Sequence, residues 1–180
     1  MDVSTINFQW SMNSAVAFLT GWKTASIQAA DHGVSNYTYR INATDGNMGV
    51  FYATEAYIAP AQVEWEVVQV RFKYPSEHSV NGVSYALEMQ VVLNDTLRRC
   101  SYCLAHTGAL SLFFDIGEEP NDFWDWVGQE TFDFDLSKAF NKTTSMNAYM
   151  TGYGGTDTEP NCSGIQCWYI TYLPTPMTIP

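Results

Sequence analysis

Cations are the scarcest chemistry in this sequence. Eight Lys and Arg stand against nineteen Asp and Glu in 180 residues, a formal net charge of -11, and charged residues of both signs make up only 15%. Such a chain repels phosphate backbones and anionic bilayers, and Arg98-Arg99 is its largest basic cluster, so nucleic acid is not an expected partner. No run approaches the roughly 18 apolar residues of a membrane-spanning helix. The start, MDVSTINF, lacks the charged and then apolar regions of a signal peptide. Imidazoles are limited to His32, His78 and His106. With no G-x-S-x-G elbow and no phosphate loop, nucleophilic and phosphoryl-transfer chemistry have no motif to rest on. The acidic run EEPNDFWDW, residues 118 to 126, lacks the D-x-D-x-D-G spacing of a calcium loop. It reads as a solvated face whose aromatics, Phe123, Trp124 and Trp126, pack inward. Repeats and low-complexity tracts are absent as well.

Apolar residues at 46% and aromatics at 15% provide what a single domain over residues 1–180 needs for a core. Segments rich in Val, Tyr, Phe, Trp and Thr at 36–41, 49–57, 63–72, 84–93, 109–116 and 168–172 predict strands. Turn signals fall between them: DG at 45, NG at 81, ND at 94, TG at 107 and YGG at 153. Helix signals are short: 121–127, with Asn121 as N-cap, and 136–140, with Asp135 as cap. The tail LPTPMTIP, residues 173–180, carries three prolines and must be extended.

Two features point to the secretory route and an extracellular location. Five N-x-S/T acceptors, at Asn36, Asn42, Asn94, Asn141 and Asn161, exceed what this composition gives by chance, and four carry Thr. The four cysteines are arranged as Cys100-x2-Cys103 and Cys162-x4-Cys167. Neither a redox motif opening a helix nor a pair of zinc knuckles fits, so disulfides are expected, with three pairings open.

One strand is unusual. In VRFKYPSEH, residues 70–78, alternation sets the cations Arg71 and Lys73 on one face between Val70, Phe72 and Tyr74. The longer stretch QVRFKYPSEHSVNGVSYALEMQVV resembles the central hairpin of the α-class carbonic anhydrases, which runs Q-F-H-F-H, P-S-E-H, a turn, and E-x-H-x-V-H. ALSLFFDIGEEPN is similar to that family's L-A-V-x-x-x-F-x-x-x-G strand, and FDFDLSKAF to its F-D-x-x-x-L-L-P segment. YMTGYGGTDTEPNCSGIQCWYI is similar to Y-x-Y-x-G-S-L-T-T-P-P-C-x-E-x-V-x-W. These matches cover residues 63–172 in order. VSTINF and GNMGVFY match the N-terminal Q-S-P-I-N-I and N-x-G-H segments more loosely. The family's N-terminal W-x-Y and C-terminal N-R-P-x-Q segments have no counterpart.

The resemblance implies a mainly β fold, a twisted and mostly antiparallel central sheet with a few short helices. It places Arg71, Lys73 and Gln90 at the three zinc-histidine positions, where two cations can offer a metal nothing. Glu77, His78 and Glu88 then correspond to the supporting shell, and Thr158 to the threonine that bonds the zinc hydroxide. Glu159 replaces a second threonine, and Val50 the proton-shuttle histidine. Without zinc to lower the pKa of water the family's reaction has no engine, so neither a cofactor nor a metal is expected. Buried cations need counter-charges; Glu88 and Glu77 are the nearest candidates, and the expected plug is Arg71 paired to Glu88 with Lys73 nearby, the alternative being that both cations reach out to solvent.

The sequence therefore predicts a non-enzymatic secreted glycoprotein, a structural or adhesion protomer of an extracellular filament or coat. Its partners would be itself or another extracellular chain. Residues 3–10 and 173–180 are the expected strand donors to a neighbour. The alternatives are a small-anion or glycan-binding receptor and a degenerate lyase or hydrolase.

Overall fold

The structure is a computed structural model that describes residues 6–8, 16–20, 24–27, 32–35, 38–44, 46–54, 62–80, 82–98, 106–118, 121–140, 150–159, 166–171 and 177–179. The strands are β1 (Ile6–Phe8), β2 (Val16–Thr20), β3 (Thr24–Ile27), β4 (His32–Ser35), β5 (Thr38–Asn42), β6 (Val50–Thr54), β7 (Gln62–Lys73) and β8 (His78–Val80). They continue as β9 (Val83–Ser84), β10 (Leu87–Asn94), β11 (Thr107–Ile116), β12 (Phe132–Asp135), β13 (Met150–Gly155), β14 (Gln166–Thr171) and β15 (Met177–Ile179). A central sheet runs β13-β14-β11-β10-β7-β5-β4, with β6 on β7, β2 on β6 and β15 on β11. Most pairs are antiparallel; β1 with β8, and β11 with β14 and β15, are parallel. The mainly β fold with few helices is as the sequence predicts.

Period-two alternation gives the central strands two unlike faces. Ile41, Val70, Phe72, Met89, Val91, Leu110, Leu112 and Phe114 line one of them and are buried. They pack against Phe123, Trp126, Phe132, Phe134 and Leu136. Phe72 lies 5.5 Å from Trp126 and 6.5 Å edge-on from Phe134 between ring centroids. Asn121 caps a 3-10 turn, Asp122–Trp124, by accepting from the Phe123 N–H, and α1 spans Leu136–Phe140. Phe123 and Trp126 of the acidic run thus belong to the core, as their aromatic character suggests.

A β-bulge decides which residues of β7 reach that core. Trp65 and Val67 are buried in it, and so are Val70 and Phe72, so the inward parity changes from odd to even along one strand. The register against β10 shifts at the same point, Val92 facing Gln69 and Leu93 facing Val67. A bulge inserts one residue on one strand only and turns everything beyond it over. Without it, Arg71 and Lys73 would continue the Trp65 and Val67 row into the apolar core.

Two turn assignments from sequence are corrected. Thr107–Gly108 opens β11, where a Cβ on Gly108 would sit 2.9 Å from the Cys167 carbonyl oxygen and 3.3 Å from the Trp65 ring. Tyr153–Gly155 belongs to β13, where a Cβ on Gly155 would meet the Tyr153 ring at 2.7 Å and Trp168 at 3.1 Å. These glycines mark close approach inside strands rather than reversals. The NG signal does mark a hairpin: Val80 faces Val83 across residues 81–82, and Gly82 takes φ +78°.

The expected strand donors also prove to be engaged at home. Ile6–Phe8 pairs with His78–Val80, and Met177–Ile179 pairs with Phe114–Ile116. Each of these terminal strands is held by a ladder along one side within the chain.

Candidate functional site: an ion-paired cup on the polar face

Turned away from that core, the other face of the same strands carries the buried polar groups, beside a second, smaller apolar cluster of Ala109, Phe113, Trp168 and Ile170. Register sets Arg40 of β5 opposite Arg71 of β7, Arg71 opposite Gln90 of β10, and Gln90 opposite Ser111 of β11. One step along, Lys73 faces Glu88 and Glu88 faces Phe113. Arg71 and Lys73 are 8% and 7% exposed, and Glu88, Gln90 and Ser111 are fully buried. The cations therefore lie in the cup and do not reach out to solvent.

Each charge in the cup is matched. Arg71 Nη1 donates to Asp157 Oδ1 at 2.8 Å and its Nε to Gln69 Oε1 at 2.5 Å, with Glu159 Oε1 3.5 Å away. Arg40 donates from Nε and Nη2 to Glu159 Oε1 at 3.0 and 2.8 Å. Lys73 Nζ lies 3.2 Å from Glu77 Oε1. Gln90 Nε2 donates to Glu77 Oε2 and Glu88 Oε1, both at 3.0 Å, and its Oε1 accepts from Thr158 Oγ1 at 3.3 Å.

The expected Arg71–Glu88 pair is replaced, because Glu88 is already saturated. Its Oε1 accepts from His78 Nδ1 at 2.6 Å, Ser111 Oγ at 2.6 Å and Gln90, while Oε2 accepts from the backbone N–H groups of Glu77 and His78 at 2.8 and 3.0 Å. Arg71 takes its counter-ion from the segment after β13 instead. Burial by itself pushes the Glu88 carboxyl up. The hydrogen bond and charge of His78, the Ser111 hydroxyl and the His78 N–H outweigh that, so Glu88 sits below the ordinary glutamate range. Because Glu88 can only accept, His78 Nδ1 carries a proton; its Nε2 shares a 2.8 Å bond with the Tyr153 hydroxyl. Burial, followed by the charges of Glu88 and Glu77, drives the Tyr153 phenol well above its usual value. Trp168, at 4.9 Å between centroids, and Tyr153, at 6.0 Å, flank the His78 ring.

Does this site fit a zinc ion? Zinc needs lone pairs from three protein ligands at about 2 Å. A guanidinium and an ammonium have none, and Gln90 Oε1 is engaged by Thr158. Among the described residues no group of three or more His, Cys, Asp or Glu is placed to hold a metal. The cup does not fit the metal that the resemblance implies.

The remaining predicted positions are dispersed. Val50 lies on β6 opposite Glu66. Asn42, exposed at the end of β5, accepts from Gln69 at 2.6 Å, and Asn94 closes β10 opposite Thr107. Asn36, Asn141 and Asn161, with Cys100, Cys103 and Cys162, lie outside the described residues; Cys167 is buried on β14. Sequence reasoning missed Arg40, Ser111, Tyr153 and Asp157. Only the pair of acids flanking Thr158 in TDTEP offered a signal, since two carboxylates beside a cationic strand are candidate counter-ions.

A twisted β-sheet whose central hairpin carries a polar cup, with a parallel strand beside β11, defines an α-carbonic anhydrase-like fold. Among solved structures, the chain is similar to dioscorin complexed with ascorbate, at 16% identity over 98% of this chain and 68% of that one, TM-score 0.63. It is also similar to the α-carbonic anhydrase of Photobacterium profundum, 17% identical over 97% and 72%, TM-score 0.59. The Thermovibrio ammonificans α-carbonic anhydrase in complex with sulfanilamide is 21% identical over 98% and 70%, TM-score 0.56. No family model and no curated protein matches the sequence.

Proposed function

We propose that this chain is a carbonic anhydrase-like pseudoenzyme, a secreted glycoprotein whose catalytic cup has become an ion-paired plug and whose work is structural or adhesive. The observation that carries the reading is the burial of Arg71 and Lys73, each against a carboxylate, at positions where the fold's enzymes would present metal ligands. Burying paired charges costs desolvation that good geometry only offsets. The plug therefore serves to keep the cup closed and its strands in register, not to turn over a substrate. The even set of four cysteines and the exposed acceptor Asn42 support a secretory route. Among the described residues, β4 and β13 end the central sheet's path and β2 ends its side branch, and each has an edge that could meet a neighbour.

Elemental analysis of the native protein with a stopped-flow carbon dioxide hydration assay tests the reading. No stoichiometric zinc and no rate above the buffer are expected; either one sinks it. Changing Arg71, Lys73 and Gln90 together to His should create zinc affinity if these are the ligand positions. Intact mass before and after deglycosylation, and the particle size of native material, test the glycoprotein and assembly parts.

A further inference from the structure

Four successive residues after β13 are fastened to four different strands. The Thr156 carbonyl accepts from Trp168 Nε1 of β14 at 3.1 Å, and Asp157 accepts from Arg71 of β7. Thr158 donates to Gln90 of β10, and Glu159 accepts from Arg40 of β5. This strap, residues 156–159, lies across the cup and is fastened chiefly by charge. Beneath it, Arg40 and Arg71 stand directly opposite each other on neighbouring strands, a like-charge pairing that is unfavourable unless an anion bridges it. Glu159 Oε1 is that bridge, 2.8 Å from Arg40 Nη2 and 3.5 Å from Arg71 Nε. Asp157 and Glu159 bind through one oxygen each, Oδ1 and Oε1. A guanidinium holds a carboxylate best through two parallel bonds. The strap thus wins its place by being tethered, at high effective concentration, rather than by optimal contacts.

We propose that Arg40 and Arg71 form a two-guanidinium oxyanion clamp, occupied in cis by the strap carboxylates Asp157 and Glu159, and that a small dicarboxylate displaces the strap and takes the clamp. Two acids spaced i, i+2 on the strap define the ligand class as a short chain with a carboxylate at each end. With the strap lifted, Arg40 and Arg71 lose the carboxylates of Asp157 and Glu159, the contacts that an incoming pair of carboxylates would replace. The clamp rests on the metal-free reading of the cup.

Glutarate is the probe, titrated into the full-length protein at fixed ionic strength with acetate as the control. Glu159→Gln weakens the internal ligand and should tighten glutarate binding by about tenfold, and adding Arg40→Met to that variant should abolish it. In the wild-type protein, glutarate but not acetate should speed hydrogen exchange at the Thr158 and Glu159 amides. This second measurement decides the matter if Glu159→Gln fails to fold. Equal glutarate affinity in wild type and Glu159→Gln, equal effects of acetate and glutarate, or binding that survives Arg40→Met overturns the clamp. Zinc in the protein sinks the plug reading beneath it, whereas a zinc-free protein indifferent to glutarate sinks only the clamp.

Discussion

The two faces of the central sheet are built from alternate residues of the same strands, yet they obey different rules. Met89 and Glu88 are adjacent on β10 and both fully buried. Met89 lies among Phe72, Val91 and Leu112, contacts that depend on volume and tolerate substitutes of similar size. Glu88 sits at the centre of five donors, an arrangement that depends on the sign of the charge and the position of two oxygens. One face is held by what it excludes, the other by what it satisfies.

The largest predicted contrast follows. Glu88→Gln keeps shape but turns one acceptor oxygen into a donor among five donors. Urea unfolding should show a loss of about 3–5 kcal/mol, the range for breaking a buried pair by removing one partner. Met89→Leu, one residue away, should cost less than about 1.5 kcal/mol. A Glu88→Gln loss no greater than that of Met89→Leu would break the comparison.

Acid should produce the next effect, on the polar face alone. The native pKa of Glu88 lies below the ordinary 4.5, so the unfolded chain binds its proton first as pH drops. The stabilisation is complete above about pH 5 and is lost as pH falls through the native value. The urea midpoint of the wild type should therefore decline on that limb. Glu88→Gln should flatten the decline, and an unchanged slope would remove Glu88 as its cause.

How far the sequence revealed these faces depends on the kind of signal. Alternation in VRFKY and LEMQVV marked the strands, and the hairpin resemblance marked Arg71, Lys73, Gln90, Glu88 and His78 as neighbours. The bulge was harder to see: Val67, Val68 and Val70 are all apolar, and nothing local says which of them is the extra residue. The counter-ions were hidden for a different reason. Arg40 and Glu159 are 119 positions apart and Arg71 and Asp157 are 86 apart, and no local pattern encodes a pairing that only the sheet order creates. Glu88 was misassigned to Arg71 because proximity on neighbouring strands was weighed without counting the donors that already claim its oxygens.

A smaller effect is expected at the edge of the cup. Tyr153→Phe removes the hydroxyl that meets His78 Nε2 at 2.8 Å while keeping the ring that stacks on Trp168 at 6.3 Å. The loss should be about 1–2 kcal/mol, the cost of leaving one buried polar atom unmatched. The raised phenol adds an alkaline signature: its stabilisation is present below the ordinary value of 10.0 and disappears as pH rises toward its native value. Wild type should hold its Tyr153 proton until it unfolds, and an absorbance titration in which this phenol ionises normally would contradict that.

The smallest effect sharpens the comparison most, because it places a polar atom on the wrong face. Trp126 packs in the apolar core, stacked on Tyr39 at 5.6 Å and close to Phe72, Phe132 and Phe134. Its indole N–H is buried with no hydrogen-bond partner. An unmatched buried donor is a standing cost, so Trp126→Phe removes a liability together with some ring volume. The two terms oppose each other, and the net change should stay within about 1 kcal/mol. Trp168→Phe makes a nearly identical chemical change on the polar face but gives up the bond to the Thr156 carbonyl. It should therefore cost more, about 1–2 kcal/mol, and should speed hydrogen exchange in residues 156–159, which Trp126→Phe leaves unchanged. If the same substitution has the same effect on both faces, the difference between them is one of composition only, and the cup is not the tightly satisfied network its geometry describes.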